Sequence, residues 1–196
     1  MVKRGRVTGI FDNWNETAAQ VNRYPNAKFK SFADRDSAER YFNSEDFVFS
    51  DLEIDLLIRS GRFVCFADGS GNYADGRGGY ACIILKENSE VVIYGGESDT
   101  TVNRMELMAA ITALSATPKS EVVYLYTDSR YVVDFVGSVN SNSGWSKSNA
   151  PNLDLLNILE GYVRDRMVFS VWVKGHSGNK YNEICDKYAA MGANGL

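Results

Sequence analysis

The sequence predicts an α/β protein in which helices flank a mixed sheet, with a small α+β module in front. Three observations predict this fold class. The first 43 residues alternate between strand-like and helix-like segments. Three closely spaced apolar segments follow, the first two separated by a glycine-rich stretch, and helical and strand-like segments alternate from residue 102 onward. Short glycine-rich connections are typical of antiparallel strands, whereas helix–strand alternation is typical of parallel α/β units.

The small module is predicted to span residues 1–43. Asn13 can cap a helix, and Glu16 lies three residues later, as in a capping box. The turn around Pro25 separates this helix from the next strand. In chain order the predicted elements are strand 7–11, helix 13–22, strand 27–32 and helix 34–42.

The module and the remainder of the chain differ in charge. Residues 1–43 contain eight Lys or Arg and five Asp or Glu, a net charge of +3, so the remainder carries −7 of the total of −4. A basic module joined to an acidic domain suggests that one part attracts a polyanion while the other holds a metal ion. Ordinary surface variation is the alternative explanation.

Residues 44–60 are predicted to be an acidic and apolar linker. The segment is poor in glycine, so it does not have the composition of a free tether. We expect its apolar side chains to dock on the larger domain, namely Phe47, Phe49, Leu52, Ile54 and Leu56. A second hypothesis is that its acidic residues latch onto the basic module.

The larger domain is predicted to span residues 61–196. Its first three strands form an antiparallel meander, and the later elements alternate as in parallel units. In chain order the predictions are strands 62–68, 78–86 and 90–96, helix 102–116, strand 121–127, helix 129–138, loop 138–150, helix 152–165, strand 167–173 and helix 179–191.

Acidic residues in apolar surroundings are the candidate functional residues. Asp68 and Asp128 each end an apolar strand, and Glu106 lies among methionines and leucine. Ligands of open α/β sheets gather at the carboxyl ends of strands. Each residue has an ordinary alternative: a turn, a helix cap or a solvated helix position. If the fold brings them together with Asp186, their repulsion requires a divalent cation, and carboxylates with substrate phosphate suit Mg²⁺.

Other chemistries are less well supported. His176 is the only histidine and lies between two glycines, which is typical of a surface loop but also of a proton shuttle beside a metal. One histidine and three scattered cysteines do not form a standard zinc site. A serine hydrolase is disfavoured because the G-x-S-x-G motif is absent. Unpaired cysteines, no membrane-length apolar run and no cleavable leader predict a soluble cytoplasmic protein.

Four sequence blocks resemble type 1 ribonuclease H. They are DGSGNYADGRGGYA, TVNRMELMAAITAL, LYTDSRYVV and VKGHSGNKYNEICDKYA. The resemblance implies the ribonuclease H-like five-stranded mixed sheet, and cleavage of the RNA strand of RNA–DNA hybrids to 5′-phosphate and 3′-hydroxyl ends. It also implies two Mg²⁺ ions, or Mn²⁺, held by Asp68, Glu106, Asp128 and Asp186, with His176 as a further catalytic residue.

The N-terminal segment resembles the hybrid-binding domain of such enzymes, which implies a ββαβα-like module. The blocks are VKRGRVTGIFDNW and AQVNRYPNAKFKSF. Trp14, Phe29 and Lys30 match its nucleic-acid contacts, while Ser31 replaces a second lysine, which implies weaker binding.

In the larger domain the resemblance implies further nucleic-acid contacts. Thr101 and Asn103 match contacts to the DNA and RNA strands, and Gly69 and Ser70 match contacts near the scissile site. Ala74 replaces an asparagine that contacts substrate in some members of the family. The stretch VNSNSGWSKSNAPNLDLL corresponds to a basic protrusion of many bacterial members, but Lys147 is its only cation.

Two rival functions follow from the same residues. One is a non-catalytic adaptor that binds RNA–DNA hybrid or double-stranded RNA, which four retained acids argue against. The other is an integrase or junction resolvase of the same fold, which the histidine loop argues against. We expect an RNA–DNA hybrid as partner, no membrane, no obligate protein partner, and nucleoid association if the protein is prokaryotic.

Overall fold

The chain folds into two compact units. The structure, a computed structural model, describes residues 1–24, 27–32, 34–35, 38, 51–71, 75–143, 150–176 and 178–195. The first unit is Met1–Ser50 and the second is Asp51–Leu196. The division therefore falls inside the segment 44–60 that the sequence predicts as a linker.

The first unit contains two short strands and a helix among its described residues. β1 (Val2–Arg4) pairs antiparallel with β2 (Lys28–Phe29), and α1 is Trp14–Val21. The predicted helix start is confirmed, because the Asn13 side chain accepts from the Glu16 N–H at 3.0 Å and donates to Glu16 Oε1 at 2.9 Å. The predicted helix 34–42 lies largely outside the described residues.

The predicted strand 7–11 is wrong. That segment makes only an isolated antiparallel bridge, between Gly9 and Val2. Val2 is fully buried, whereas Val7 is 57% exposed. The buried apolar side chain of this small sheet therefore comes from β1, upstream of the predicted strand. Strand 27–32 is also shorter than predicted, since the ladder holds only two residues of β2.

Part of the predicted linker is a helix of the second unit. α2 is Asp51–Arg59, and it packs against the central strands of the sheet described below. Ile54 docks as expected and is 1% exposed, but Leu56 is 57% exposed, so its predicted docking is wrong. The two residues lie two positions apart on a helix and therefore point to different faces. Phe47, Phe49 and the Leu52 side chain lie outside the described residues.

The second unit is built on a five-stranded mixed sheet, as predicted. The strand order is β5-β4-β3-β6-β7; β4 runs antiparallel to both of its neighbours, β3 and β5, and β6 runs parallel to β3 and β7. The strands are β3 (Phe63–Gly71), β4 (Gly78–Lys86), β5 (Ser89–Glu97), β6 (Val123–Thr127) and β7 (Val168–Trp172).

Helices cover both faces of this sheet. Three of them enclose the main apolar core against one face, and α6 packs on the other face of β3, β4 and β5. Glycines at the α6 contact allow backbone to meet backbone: a Cβ on Gly79 would collide with the Ala189 carbonyl. The helices are α3 (Val102–Ser115), α4 (Arg130–Ser141), α5 (Leu153–Arg164) and α6 (Lys180–Asn194).

Two boundaries near the candidate site differ from the predictions. β3 continues to Gly71 through pairing with β4, so Asp68 lies inside the strand rather than at its end. α4 continues to Ser141 and ends at Asn142 with φ 54, so residues 139–141 belong to a helix and not to the predicted loop. Of the helices described, none combines the length and apolar character that crossing a membrane requires.

Candidate active site

Three of the four predicted carboxylates come together at one edge of the sheet. One ligand oxygen from each of Asp68, Glu106 and Asp128 lies within 4.8 Å of the others. Asp68 is 5% exposed and Glu106 is 7% exposed, while Asp128 is half-buried. The expected convergence is therefore observed for these three residues.

Strand pairing places two of these acids side by side. The parallel register of β3 and β6 pairs Phe66 with Tyr126, and its continuation by two residues leads to Asp68 and Asp128. Neighbouring strands lie about 5 Å apart, so side chains at equivalent positions meet. The side chain of Asp68 thus lies beside that of Asp128, the residue directly after β6.

Gly69 brings the third acid to the cluster. A Cβ at Gly69 would collide with the backbone N of Glu106 and would lie 2.7 Å from the Met105 carbonyl carbon. Only a glycine therefore lets α3 approach β3 this closely. The backbone N–H of Gly69 also lowers in part the pKa values of Asp68 and Glu106. The structure thus shows a packing role for Gly69, which sequence reasoning placed at the substrate.

Asp128 is held by residues that sequence reasoning missed. The Trp172 indole N–H donates to the Asp128 carbonyl at 2.9 Å, and the side chain of Asn182 partly lowers the pKa of the Asp128 carboxyl. A Cβ at Gly175 would collide with Asp128 Oδ2, so the loop after β7 closes directly on this carboxylate. The one available signal for Asn182 was its helical spacing with Cys185 and Ala189, which places it on a buried stripe.

The environment disfavours ionised carboxylates in the cluster. Burial and then the charges of Asp128 and Asp186 raise the pKa of Asp68 to about 8. Burial, followed by the charges of Asp68 and Asp128, raises the pKa of Glu106 well above its ordinary value. Burial also raises the pKa of Asp128, although the side chain of Asn182 lowers it in part. The cluster therefore holds protons at neutral pH unless cations replace them.

We expect the metal-free protein to lose stability between about pH 4 and pH 8. Folded Asp68 keeps its proton up to a pKa of about 8, whereas the unfolded side chain releases it near 3.8. The folded state then binds more protons in this interval, so the free energy of unfolding falls as pH rises. Thermal melts of wild type and Asp68→Asn in chelator measure the difference. A melting temperature of wild type that rises relative to the variant over this interval would contradict the assigned pKa shift.

Asp186 and His176 border the cluster rather than join it. Asp186 lies outside the group of three and is 42% exposed, and its Oδ2 lies 3.7 Å from His176 Nδ1. The His176 side chain is 81% exposed, and its backbone has φ 50. Asp186 is still near enough for its charge to raise the pKa of Asp68 and Asp128.

The other predicted contacts of the second unit lie at two positions. Gly69 and Ser70 follow Asp68 on β3 and are half-buried. Thr101 caps α3, where its hydroxyl accepts from the Arg104 N–H at 3.4 Å, and Asn103 is exposed in the first turn of that helix. Ala74 and Lys147 lie outside the described residues.

The predicted contacts of the first unit line a groove of about 660 Å³. Trp14 is 59% exposed and Phe29 is 49% exposed, and their ring centroids lie 5.7 Å apart. Lys30 is exposed, with its ammonium 5.4 Å from the Phe32 ring centroid. An aromatic pair beside a cation on a basic module is a surface suited to nucleic acid.

The carboxylate cluster fits a hard divalent cation. Glu106 Oε2 is buried without a hydrogen-bond partner among the described residues. A buried carboxylate oxygen in this situation is costly unless a cation or a proton satisfies it. The donor set consists of carboxylate oxygens, which suit Mg²⁺ and Mn²⁺ better than zinc.

The sheet and its buried carboxylates define an α/β enzyme of the metal-dependent nuclease class. Residues 60–194 match the RNase H family, and residues 1–42 match the family described as ribonuclease H1 N-terminal domain. The chain belongs to the ribonuclease H family and is a metal-dependent endoribonuclease. Membership of this family supports cleavage of the RNA strand of RNA–DNA hybrids.

Relatives and solved structures agree with this assignment. Ribonuclease H of Pseudomonas paraeruginosa is 41% identical over 135 residues, which cover 66% of this chain and 91% of the relative. Ribonuclease H of Francisella tularensis subsp. novicida is 36% identical over 142 residues, covering 69% and 93%. The crystal structure of LC9-RNase H1, a type 1 RNase H with the type 2 active-site motif, has a TM-score of 0.58 at 28% identity, covering 69% and 73%.

A more distant structure shares the fold. The N-terminal RNase H domain of a Mycobacterium tuberculosis protein, solved as a fusion with maltose-binding protein, has a TM-score of 0.57 at 18% identity. The match covers 68% of this chain and 94% of that chain.

Proposed function

We propose that the protein hydrolyses the RNA strand of RNA–DNA hybrids by a two-metal-ion reaction that leaves 5′-phosphate and 3′-hydroxyl ends. The observation that carries the proposal is the buried group of Asp68, Glu106 and Asp128, whose ligand oxygens lie within 4.8 Å of one another. A non-catalytic protein gains nothing from buried carboxylates that repel one another, which disfavours the adaptor alternative.

The residues of the cluster have distinct roles in this proposal. Asp68, on the central strand of the sheet, is assigned to both ions, while Glu106 and Asp128 are each assigned to one. Asp186, at the exposed border, is assigned to the ion on the side of the attacking water. Two bound Mg²⁺ ions would supply an activated water and charge stabilisation for the leaving oxygen, and Mn²⁺ has suitable ligand preferences as well.

The reaction is a balanced hydrolysis. The water oxygen forms a bond to phosphorus, the bond from phosphorus to the 3′-oxygen breaks, and the 3′-oxygen takes up a proton. His176 is assigned to proton transfer or product release because it is exposed and lies 3.7 Å from Asp186. RNA is selected because 2′-hydroxyls can donate and accept hydrogen bonds in the wide minor groove, where Ser70 and Asn103 are candidates. Thr101 is assigned to a DNA phosphate.

The first unit is proposed as a second binding site for the same hybrid. Tethering it to the nuclease domain raises the effective concentration of substrate there. Trp14, Phe29 and Lys30 supply two exposed rings and a cation. For the location we propose the cytoplasm, with association to the nucleoid if the protein is prokaryotic, and we expect no membrane and no obligate protein partner.

We expect Trp14→Ala to weaken hybrid binding about five- to tenfold, roughly 1 kcal/mol, because the loss of a stacking surface costs about this much or more. The melting temperature should remain near that of wild type, since Trp14 is 59% exposed. Binding is measured by fluorescence anisotropy in chelator, which prevents cleavage. Trp14→Phe and Val7→Ala are the controls, and an unchanged affinity of Trp14→Ala would remove Trp14 from the interface.

A strand-resolved cleavage assay tests the proposed function. RNA–DNA, RNA–RNA and DNA–DNA duplexes carry a label on one strand and are incubated with Mg²⁺ or with chelator. The expected result is that only the RNA strand of the hybrid is cleaved, and only with Mg²⁺. The fragments should accept a 5′-end label only after phosphatase treatment, which identifies their ends as 5′-phosphates. Binding without cleavage would support the adaptor, and cleavage in chelator would exclude the metal-ion reaction.

A further inference from the structure

Asp128 lies just past the end of a strand and before the start of a helix. β6 ends at Thr127 and α4 begins at Arg130. The last pair of the ladder between β6 and β7 joins Thr127 to Trp172. A carboxylate that meets two others within 4.8 Å needs a fixed backbone, because its Cα–Cβ bond determines where its oxygens can reach. Contacts outside regular secondary structure must therefore hold this residue.

Two consecutive residues at the end of β7 hold the peptide groups on both sides of Asp128. The Val173 N–H donates at 3.0 Å to the Thr127 carbonyl, which belongs to the peptide group before Asp128. The Trp172 indole N–H donates at 2.9 Å to the Asp128 carbonyl, which belongs to the peptide group after it. Because peptide groups are planar, fixing both of them fixes the backbone dihedral angles of Asp128. The direction of its side chain follows from these angles.

The Trp172 ring is itself held by Arg130. The guanidinium carbon of Arg130 lies 3.8 Å from the centroid of the ring, which is a cation–π contact. Rotation of the indole away from Asp128 would break this contact together with the hydrogen bond. The Ser129 N–H donates to the Thr127 hydroxyl at 3.1 Å, which fixes the turn that leads from Asp128 to Arg130. The contacts thus form a closed circuit around the turn.

We propose that Trp172 and Arg130 are positioning residues that hold the Asp128 backbone so that its carboxylate binds metal. This inference rests on the proposed function, because it assigns a role toward the ions of that site. Trp172 acts through its indole N–H, and Arg130 acts through the Trp172 ring. Loss of a residue that orients a metal ligand typically lowers metal affinity about 10- to 100-fold.

A purely electrostatic role of Arg130 would have the opposite effect on metal binding. A cation two residues from a metal ligand repels divalent ions, so its removal would strengthen their binding. A positioning role predicts weaker binding, because the indole loses the contact that holds it in place. The direction of the change in Arg130→Leu therefore distinguishes the two roles.

Trp172→Phe and Arg130→Leu test the proposal. Phenylalanine keeps a ring for Arg130 but has no N–H. Mn²⁺ is titrated calorimetrically into the full chain without substrate, and thermal melts in chelator verify folding. The expected Kd for Mn²⁺ is about 10- to 100-fold higher in Trp172→Phe. In Arg130→Leu it should be about two- to fivefold higher, the factor that corresponds to an exposed cation–π contact.

The indole N–H of Trp172 supplies a spectroscopic readout. Its proton resonance is identified by its absence from the spectrum of Trp172→Phe. It should shift as Mg²⁺ is added to the wild type, because the carbonyl that it contacts belongs to a metal ligand. A resonance that stays constant while Mg²⁺ binds would contradict the proposed coupling.

Asn140→Ala is the matched control. The Asn140 side chain donates to the Val168 carbonyl at 2.8 Å, so this variant loses a bond of the same kind at the other end of β7. It should lower the melting temperature and leave the Kd for Mn²⁺ unchanged. Arg130 is exposed, so Arg130→Leu keeps the test decisive if Trp172→Phe does not fold.

Wild-type Mn²⁺ affinity in folded Trp172→Phe, or unchanged or tighter binding in Arg130→Leu, would overturn this inference alone. Absence of Mn²⁺ binding to the wild type would overturn the proposed metal site as well.

Discussion

Asp68→Asn should lower the rate of hybrid cleavage by at least about 1000-fold, roughly 4 kcal/mol, while hybrid binding in chelator stays near that of wild type. Asp68 is 5% exposed, and it is the residue proposed to contact both ions. An amide of nearly the same shape keeps the packing but removes the anionic charge. The measurement is single-turnover cleavage with Mg²⁺, together with an affinity determined by anisotropy.

The same variant should be more stable than wild type when metal is absent. At pH 8 the asparagine removes a carboxylate whose charged form is disfavoured first by burial and then by the charges of Asp128 and Asp186, which together raise the pKa of Asp68 to about 8. A gain of about 1 kcal/mol corresponds to roughly 2–4 °C for a chain of this size. The control is Asp134→Asn, at an exposed position on α4, which makes the same change of charge. It should alter neither the rate of hybrid cleavage nor the stability without metal. Cleavage by Asp68→Asn at a tenth of the wild-type rate or more would contradict the assigned role.

Gly69→Ala should lower stability by about 1–3 kcal/mol and activity by about 100-fold. The added Cβ would collide with the Glu106 backbone N and lie 2.9 Å from its Cα. Because these are backbone atoms, no rotation of a side chain relieves the overlap, and α3 must move away from β3. A displacement of about 1 Å would move Glu106 away from Asp68 and disturb a metal site that needs both carboxylates.

Thermal denaturation and single-turnover cleavage measure the two effects of Gly69→Ala separately. Gly161→Ala, on α5, is the matched control because a Cβ there meets no atom within 4 Å. It should leave activity unchanged and increase stability slightly, since alanine favours a helix over glycine. Wild-type stability and activity in Gly69→Ala would show that α3 does not depend on this close contact.

The sheet and the three clustered acids could be predicted because local patterns determine them. A glycine-containing connection separates β3 from β4, a two-residue turn separates β4 from β5, and the run ending at Tyr126 places Asp128 shortly after a buried strand. The true extent of β3 could not be predicted in this way. Residues 69–71 owe their strand conformation to pairing with 78–80 on β4, which is a contact across a turn and not a property of their own sequence.

Long-range contacts account for the remaining differences. Asn182 lies 54 positions after Asp128, and only the packing of α6 brings its side chain near that carboxylate. The resemblance places Gly69 at the substrate, whereas its lack of a Cβ matters for the approach of α3. The strand predicted at 7–11 failed because apolar content alone does not identify which side chains a small sheet buries.

The location of bound metal tests the central claim most directly. Crystals of the full chain with an RNA–DNA hybrid and Mn²⁺ would be measured at a wavelength where Mn²⁺ scatters anomalously, with Asp68→Asn used to prevent cleavage if the wild type turns over. The account predicts anomalous density in contact with the carboxylates of Glu106 and Asp128, and of Asp68 in the wild type. Mn²⁺ bound only elsewhere, at concentrations that support cleavage, would contradict it.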